Sequence, residues 1–285
     1  MINFHDFIIS NSSFKKLLLN NLEFVQYDCP INIDVLPVWT QHDYIVHVIS
    51  GEKKWQTEHG TTIASAGQTF YIKKGAHIIH QYYKEKFCLL LFFVKDEFKN
   101  LLQMDYSKLS PSLEKENKPV ILYEIKDDPW IKNYFQSILS YFLADMSPSS
   151  SLLEIKFREF MHVLAQNKDN HAILRHLISE GGNDELKFRE IMTSNYMYNL
   201  GLEDYANLCS KSLSSFKRTF EKMFGTTPGK WLLESRLQRA ASLLTHSDLS
   251  ITQVAFESGF EDLSHFSRSF KIRFKIAPLK YRQSP

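Results

Sequence analysis

The residues best suited to chemistry are two arginines that occur in the same short pattern, fifty positions apart. Ser214-x-Phe216-x-Arg218-x-Phe220 recurs as Ser264-x-Phe266-x-Arg268-x-Phe270, and the Phe224 and Pro228 that follow recur as Phe274 and Pro278. Agreement at six spaced positions indicates a duplicated structural unit. A guanidinium can donate two hydrogen bonds to the O6 and N7 atoms of guanine in the major groove of DNA. The repeat therefore predicts two surfaces able to read bases.

The phenylalanines of each copy recur every four residues, so they lie on one face of a helix. The cations of both copies then lie away from that face. A shorter helix is expected before each copy, at residues 202–209 and 251–258, with turns at residues 210–212 and 259–261. A short helix, a tight turn and a longer polar-faced helix form the helix-turn-helix arrangement, whose second helix enters the major groove.

The spacer between the two copies predicts one long helix over residues 228–246. Pro228 suits the first turn of a helix, and Trp231, Leu232, Leu237 and Leu244 supply a buried side. We expect this helix to hold the two recognition helices apart by about 34 Å, which is one turn of DNA.

Charge is distributed unevenly along the 285 residues, although the net charge is only +2. Residues 211–285 contain 13 Lys and Arg against 6 Asp and Glu, whereas residues 1–210 contain 21 against 26. The basic end suits a polyanionic partner and the acidic end does not.

Two long stretches of this basic end resemble the signature of the AraC/XylS transcription regulators. They are Ile251-Thr-Gln-Val-Ala-Phe-Glu-Ser-Gly-Phe260 and Ser264-His-Phe-Ser-Arg-Ser-Phe-Lys271, followed by residues 278–282. Residues 236–240 resemble the linker helix of that family, and residues 224–228 resemble its mid-domain turn. The resemblance covers residues 184–285 and implies a two-motif DNA-binding domain joined to an effector-binding or dimerising domain. Activation is the commoner outcome in that family, and Lys275 departs from it by replacing a frequent glycine.

The resemblance implies specific contacts with double-stranded DNA. The base-reading positions fall on Ser214, Lys217, Arg218, Ser264, His265 and Arg268. The cations expected at phosphates are Lys211, Arg236, Arg239, Lys271 and Arg273. Three alternatives stay open: each arginine could pair with a neighbouring carboxylate, Ser214 and Ser264 could only cap their helices, and any phosphate candidate could be a solvated charge.

The first half of the chain predicts strands. Short apolar runs between residues 22 and 95 end at turn residues, which is typical of an all-β barrel or sandwich. Residues 66–77 resemble the cupin-like sensor domains common in this family, and a barrel mouth is a natural ligand pocket. Five histidines occur there, namely His42, His47, His59, His77 and His80, but none forms the His-x-His pattern of a cupin metal site. We expect no metal and no cofactor.

After residue 96 the periodicity becomes helical. Residues 130–143 and 152–164 predict an antiparallel helix pair, with a surplus apolar stripe that includes Phe157 and Met161. The stripe predicts a homodimer interface, and packing against the protein's own barrel is the alternative. Gly181-Gly182-Asn183 suggests the boundary between a sensor and dimerisation domain at residues 1–182 and a DNA-binding domain at residues 183–285.

The predicted fold is therefore α+β. A cupin-like β-barrel with a helical pair precedes an all-α domain, in which a linker helix joins two helix-turn-helix motifs. No apolar run approaches the roughly 18 residues of a membrane span. No basic n-region precedes the first apolar residues, and three scattered cysteines suit reduced thiols. We expect a cytoplasmic protein that does not enter a membrane.

Three hypotheses for control of the chain remain. A small molecule could bind the barrel, which is the favoured prediction, or a protein partner could control an activator, as in the related type III secretion activators. The third is a metal-dependent cupin enzyme fused to a DNA-binding domain, and the missing metal motif argues against it, so no enzyme is expected. A polar open cavity would favour the first, and an interior packed with aromatic side chains the second. RNA polymerase is the expected partner of an activator.

Overall fold

The computed structural model describes residues 1–18, 22–28, 34–57, 60–81, 87–99, 121–144, 146–178 and 184–283. The chain divides into two compact units, residues 1–183 and 184–285. The joint expected at Gly181-Gly182-Asn183 lies outside the described residues. None of the described helices combines the length and apolar character that crossing a membrane requires.

The first unit contains two sheets. In chain order its elements are β1 (Ile2–Asn3), α1 (Phe4–Ser10), β2 (Lys15–Leu18), β3 (Leu22–Asp28), β4 (Val35–Thr40), β5 (Asp43–Ser50), β6 (Glu52–Thr57), β7 (Gly60–Ser65), β8 (Thr69–Ile72), β9 (Gly75–Gln81), β10 (Cys88–Val94) and β11 (Leu122–Ile125). One sheet has the order β1-β4-β9-β6-β7, and the other has the order β11-β8-β5-β10-β3-β2. The pairing is antiparallel except between β1 and β4.

Both faces of the six-stranded sheet are buried, and β10 shows why. Its side chains alternate, because successive residues of a strand point to opposite faces. Leu89, Leu91 and Phe93 belong to the core between the sheets, whereas Leu90, Phe92 and Val94 belong to a second core on the other side. A strand that is apolar on both faces requires a covering layer on each.

Three helices form that covering layer: α2 (Pro129–Leu143), α3 (Ser150–Gln166) and α4 (His171–Ile178). Asp128 and Ser149 cap the first two, because their side chains accept the amide hydrogens of Ile131 and Leu152. The Phe135 ring of α2 stacks on Phe92 of β10 with 5.5 Å between the ring centroids.

The prediction that Phe157 and Met161 form a dimer interface is wrong. Both side chains have 0% exposure and belong to the core between the helices and the six-stranded sheet. The apolar stripe of α3 packs on the protein's own sheet, because that sheet's outer face is itself apolar. The helix pair therefore follows the alternative stated above.

The second unit is helical. Its elements are α5 (Asp184–Asn195), α6 (Leu202–Leu208), α7 (Leu213–Phe224), α8 (Pro228–His246), α9 (Ile251–Glu257), α10 (Leu263–Phe274) and α11 (Pro278–Gln283). α6 and α7 form the first helix-turn-helix motif, α9 and α10 form the second, and α8 links them. The α+β class, the sheet-rich first domain and the helical second domain are confirmed.

Candidate nucleic-acid interface

The helix α7 begins and ends with clear capping signals. The Ser212 hydroxyl accepts a hydrogen bond from the Ser215 amide at 3.3 Å, and Gly225 ends the helix in the left-handed conformation with φ 67°. Phe216 and Phe220 are fully buried, and Phe220 stacks on Phe224 at 4.3 Å between centroids. The phenylalanine face therefore anchors the helix and leaves the opposite face exposed.

The helix α10 repeats this construction fifty residues later. The Asp262 carboxylate accepts the His265 amide at 2.5 Å, and Phe266 and Phe270 are fully buried. Lys275 ends the helix at the position equivalent to Gly225 and adopts the same left-handed conformation, with φ 66°. The geometry of this turn is thus kept although the glycine is absent.

The capping alternative for Ser214 and Ser264 is wrong. Ser212 and Asp262, each two residues earlier, cap the two helices. Ser214 and Ser264 lie inside the first turn with exposed side chains. Helix capping therefore does not account for the serines at these two positions.

The six predicted base-reading residues are all exposed. The guanidinium groups of Arg218 and Arg268 have no hydrogen bond or ion pair with any residue that the structure describes. The alternative in which each pairs with a neighbouring carboxylate is therefore not adopted. The His265 ring contacts only Phe260 among the described aromatic rings, edge to face at 5.7 Å between centroids.

The five predicted phosphate ligands divide into two groups. Lys211 and Lys271 have no side-chain partner within the described part of the chain. Arg236, Arg239 and Arg273 are used inside the protein: Arg236 donates to the carbonyls of Tyr196 and Tyr198, Arg239 to that of Glu257, and Arg273 to the Glu234 carboxylate. The Arg273 guanidinium lowers the pKa of the Glu234 carboxyl.

Sequence reasoning missed the residues that Arg236 contacts. The carbonyls of Tyr196 and Tyr198 belong to the connection between α5 and α6, where a main-chain acceptor has no sequence signature. The sequence did contain one signal for the neighbouring turn, namely Gly259, because a glycine in a turn often adopts a backbone conformation with positive φ. Gly259 has φ 88°.

Those predicted histidines that the structure describes have different hydrogen-bond partners. Tyr44 Oη lies 2.6 Å from His77 Nε2, His47 Nδ1 lies 2.9 Å from Thr69 Oγ1, and His80 Nε2 lies 2.8 Å from Gln56 Oε1. Burial lowers the pKa of His77 to about 3 and the pKa of His47 to about 4. No three His, Cys, Asp or Glu side chains of the described residues are placed to hold a metal ion, and His59 lies outside those residues.

The interior between the two sheets is filled with large side chains. Its buried aromatic residues are Tyr27, Tyr44, Trp55, Phe70 and Phe93, and Phe4 of α1 packs 5.6 Å from the Tyr44 ring. Large aromatic side chains therefore make up much of the described part of this interior.

Comparison with known proteins assigns a class to each unit. Residues 43–176 match the model of the ExsA N-terminal regulatory domain, and residues 205–284 match a helix-turn-helix domain model of the AraC type. The AraC/XylS resemblance is confirmed: the chain carries a helix-turn-helix domain of the AraC type, preceded by a segment that matches a regulatory domain.

Several known proteins are similar to this chain over most of its length. The virulence regulon transcriptional activator VirF of Yersinia enterocolitica is 24% identical over 84% of this chain and 89% of its own. The transcriptional regulator ExsA of Pseudomonas aeruginosa is 22% identical over 90% of this chain and 91% of its own. The crystal structure of apo ToxT from Vibrio cholerae has 19% identity and a TM-score of 0.45 over 93% of this chain and 98% of its own.

Proposed function

We propose that this chain activates transcription by placing α7 and α10 in two successive major grooves of one DNA duplex. Ser214, Lys217 and Arg218 read bases in one groove, and Ser264, His265 and Arg268 read bases in the next. The observation that carries the proposal is the equivalence of Arg218 and Arg268, which lie on exposed faces of equivalent helices and bond no side chain or carbonyl of the described residues. A free guanidinium on such a helix suits the O6 and N7 atoms of guanine.

In vitro selection from a random duplex pool tests this proposal. The purified full chain is expected to enrich a bipartite sequence whose two parts lie about 10 to 10.5 base pairs apart. The affinity for the enriched duplex falls steeply with salt, because the cations of the protein displace counterions from the phosphates. A pool that shows no enrichment contradicts the proposal.

The first domain, in this proposal, receives its signal from a protein partner rather than from the small molecule favoured by the sequence. Aromatic side chains make up much of the described interior between the sheets, and we take this to support a partner bound at the surface. Native mass spectrometry of the purified full chain tests the choice. We expect the mass of the polypeptide alone, and a bound small molecule would restore the first hypothesis.

The remaining parts of the proposal concern the setting in which the chain acts. The chain works in the cytoplasm as a regulator and not as an enzyme, and it recruits or contacts RNA polymerase. Relatives named as activators support this role.

The chain, in this proposal, acts as a homodimer through its first unit. The interface uses exposed apolar side chains of α2 and α3 such as Trp130, Leu143 and Ile155, whose exposures are 67%, 71% and 61%. A dimer places two DNA-binding domains on repeated sites and raises avidity.

A further inference from the structure

A short segment between α5 and α6, residues 196–200, contacts the linker helix α8 through Arg236 and through an edge-to-face contact of Tyr196 with Trp231, at 6.2 Å between ring centroids. We call this segment the clamp loop. Arg236 of α8 donates from Nε to the Tyr196 carbonyl at 2.8 Å and from its Nη2 to the Tyr198 carbonyl at 2.8 Å. Charged donors to carbonyl oxygens form stronger hydrogen bonds than neutral donors. One guanidinium thus fixes two points of the loop to the middle of α8.

The clamp loop also contacts the turn of the second helix-turn-helix motif. The side-chain amide of Asn199 donates to the Glu261 carboxylate, two residues before α10 begins. The Met197 carbonyl oxygen would lie 2.6 Å from a Cβ added to Gly259, and Arg236 Nε would lie 3.0 Å from it. The loop, the arginine and the turn therefore meet at close range.

The same loop is firmly attached to the first motif. Tyr205 of α6 is fully buried, and its hydroxyl donates to the Asn195 carbonyl at 2.8 Å, immediately before the loop. Tyr198 and Leu200 of the loop are also buried, at 8% and 5% exposure. A displacement of the first motif would therefore displace the loop with it.

These contacts give the two motifs a second connection. The linker helix α8 joins them along the chain and packs on both, with Trp231 against Phe220 and Phe224 and with Leu237 and Leu244 in the core of the second motif. A second set of contacts runs from Tyr205 of the first motif through the clamp loop and Arg236 to Gly259 of the second motif. Together with α8 it forms a closed ring of contacts between the two motifs. A closed set of contacts resists rotation more than an open one.

We propose that Arg236 is a positioning residue that sets the separation and rotation of α7 relative to α10, and that it thereby makes the protein selective for the spacing between its two groove contacts. The inference rests on the proposed function, in which both helices bind the same duplex. One inserted base pair moves the second site by about 3.4 Å and rotates it by about 35°. A rigid pair of motifs cannot follow both changes.

The test compares DNA sites of altered spacing. The bipartite sequence enriched by the wild-type full chain is prepared with one base pair inserted, with one removed, and with either half scrambled. Equilibrium dissociation constants are measured for the wild type and for Arg236→Met, which keeps the aliphatic stem and removes the donors.

The wild type is expected to lose about tenfold or more in affinity at each altered spacing, as when one set of base contacts is lost. In Arg236→Met we expect that penalty to fall to about threefold or less, while the constants for the half-scrambled sites stay within about twofold of the wild type.

Three further variants complete the test, and the first of them controls for general damage. Gln238→Met alters the same helix at an exposed position, where the side chain bonds only Glu234 among the described residues, so its spacing penalty should equal that of the wild type. Asn199→Ala removes the exposed contact to Glu261 and should reduce the penalty without affecting folding, and Arg236→Lys should restore part of it. If Arg236→Met does not fold, Asn199→Ala decides the question.

The possible failures are separable. A wild-type protein that enriches no sequence overturns the proposed function and the inference that rests on it. A wild-type protein that is sensitive to spacing, with Arg236→Met or Asn199→Ala equally sensitive, overturns the positioning role alone. Loss of affinity for the half-scrambled sites in Arg236→Met would show a direct DNA contact and would also overturn it.

Discussion

Met197 and Gly259 lie in such close contact that the second motif can accept only glycine at its turn. The Met197 carbonyl oxygen would be 2.6 Å from a Cβ at residue 259, and the φ of 88° at Gly259 already disfavours a side chain. Ser258 and Phe260 on either side are buried, so the turn has little freedom to move away. This contact joins the clamp loop to the second motif.

Gly259→Ala is therefore expected to destabilise the second unit by about 2 kcal/mol or more, since left-handed geometry costs about 1 to 2 kcal/mol and a main-chain clash adds to it. Chemical denaturation of residues 184–285 measures the change. Gly229→Ala is the matched control: nothing lies within 4 Å of a Cβ there, and Gly229 is in the first turn of α8. The control should be neutral or slightly stabilising, and an equal loss in both variants would contradict the contact.

Arg218→Ala and Arg268→Ala are each expected to weaken specific DNA binding by about 1 to 3 kcal/mol, because each removes the guanidinium that we propose to pair with a base. Each variant should also relax sequence preference, at positions one helical turn apart. Binding to a library of single-base variants of the enriched site measures both effects. Lys271→Ala serves as the comparison and should weaken all sequences alike. Unchanged selectivity in both arginine variants would refute their assignment.

Lys275→Gly is expected to stabilise the second motif by about 0.5 to 1 kcal/mol. Lys275 holds φ at 66°, a conformation that glycine adopts without steric cost. Gly225→Lys, at the equivalent end of α7 with φ 67°, is the mirror experiment and should destabilise by a similar amount. Denaturant midpoints of the two variants give the comparison. Two shifts of the same sign would mean that conformation is not the cause.

The homodimer is expected to depend on the exposed side of the helix pair. Ile155→Asp combined with Leu143→Asp should convert the full chain to a monomer in sedimentation velocity, because a buried unpaired carboxylate at an interface is costly. Phe157→Asp should instead unfold the first unit, since that side chain is completely buried. A wild-type chain that sediments as a monomer at physiological concentration, with and without DNA, refutes the proposed dimer.

The stability of the first unit should decrease as the pH falls below about 6.5, the ordinary pKa of histidine. Burial lowers the pKa of His77 to about 3, and burial lowers the pKa of His42 and His47 to about 4. Between pH 6.5 and pH 4 these histidines are protonated in the unfolded state but neutral in the folded state. The free energy of unfolding therefore decreases as the pH is lowered through this range. Thermal melts across this range measure the slope. His47→Asn removes one of the titrating groups and should flatten the curve, and an unchanged slope would contradict its burial.

The sequence by itself determined the local structure of the second unit. Phenylalanines four residues apart, a capping residue before each recognition helix and Pro228 at the start of α8 act within one or two helical turns. Their effects follow from helix geometry, which does not depend on the rest of the protein. The exposed positions of Arg218 and Arg268 follow from the same periodicity.

Only the tertiary structure decided which apolar side chains are buried in a core and which cations form hydrogen bonds within the protein. The stripe containing Phe157 suits an interface or a core equally well, and the apolar outer face of the six-stranded sheet made it core. Arg236 has the same chemistry as a phosphate ligand, but the Tyr196 and Tyr198 carbonyls, about forty residues away in the chain, accept its hydrogen bonds. Burial and hydrogen-bond partners depend on which distant segments fold together, and periodicity within one helix carries no information about those segments.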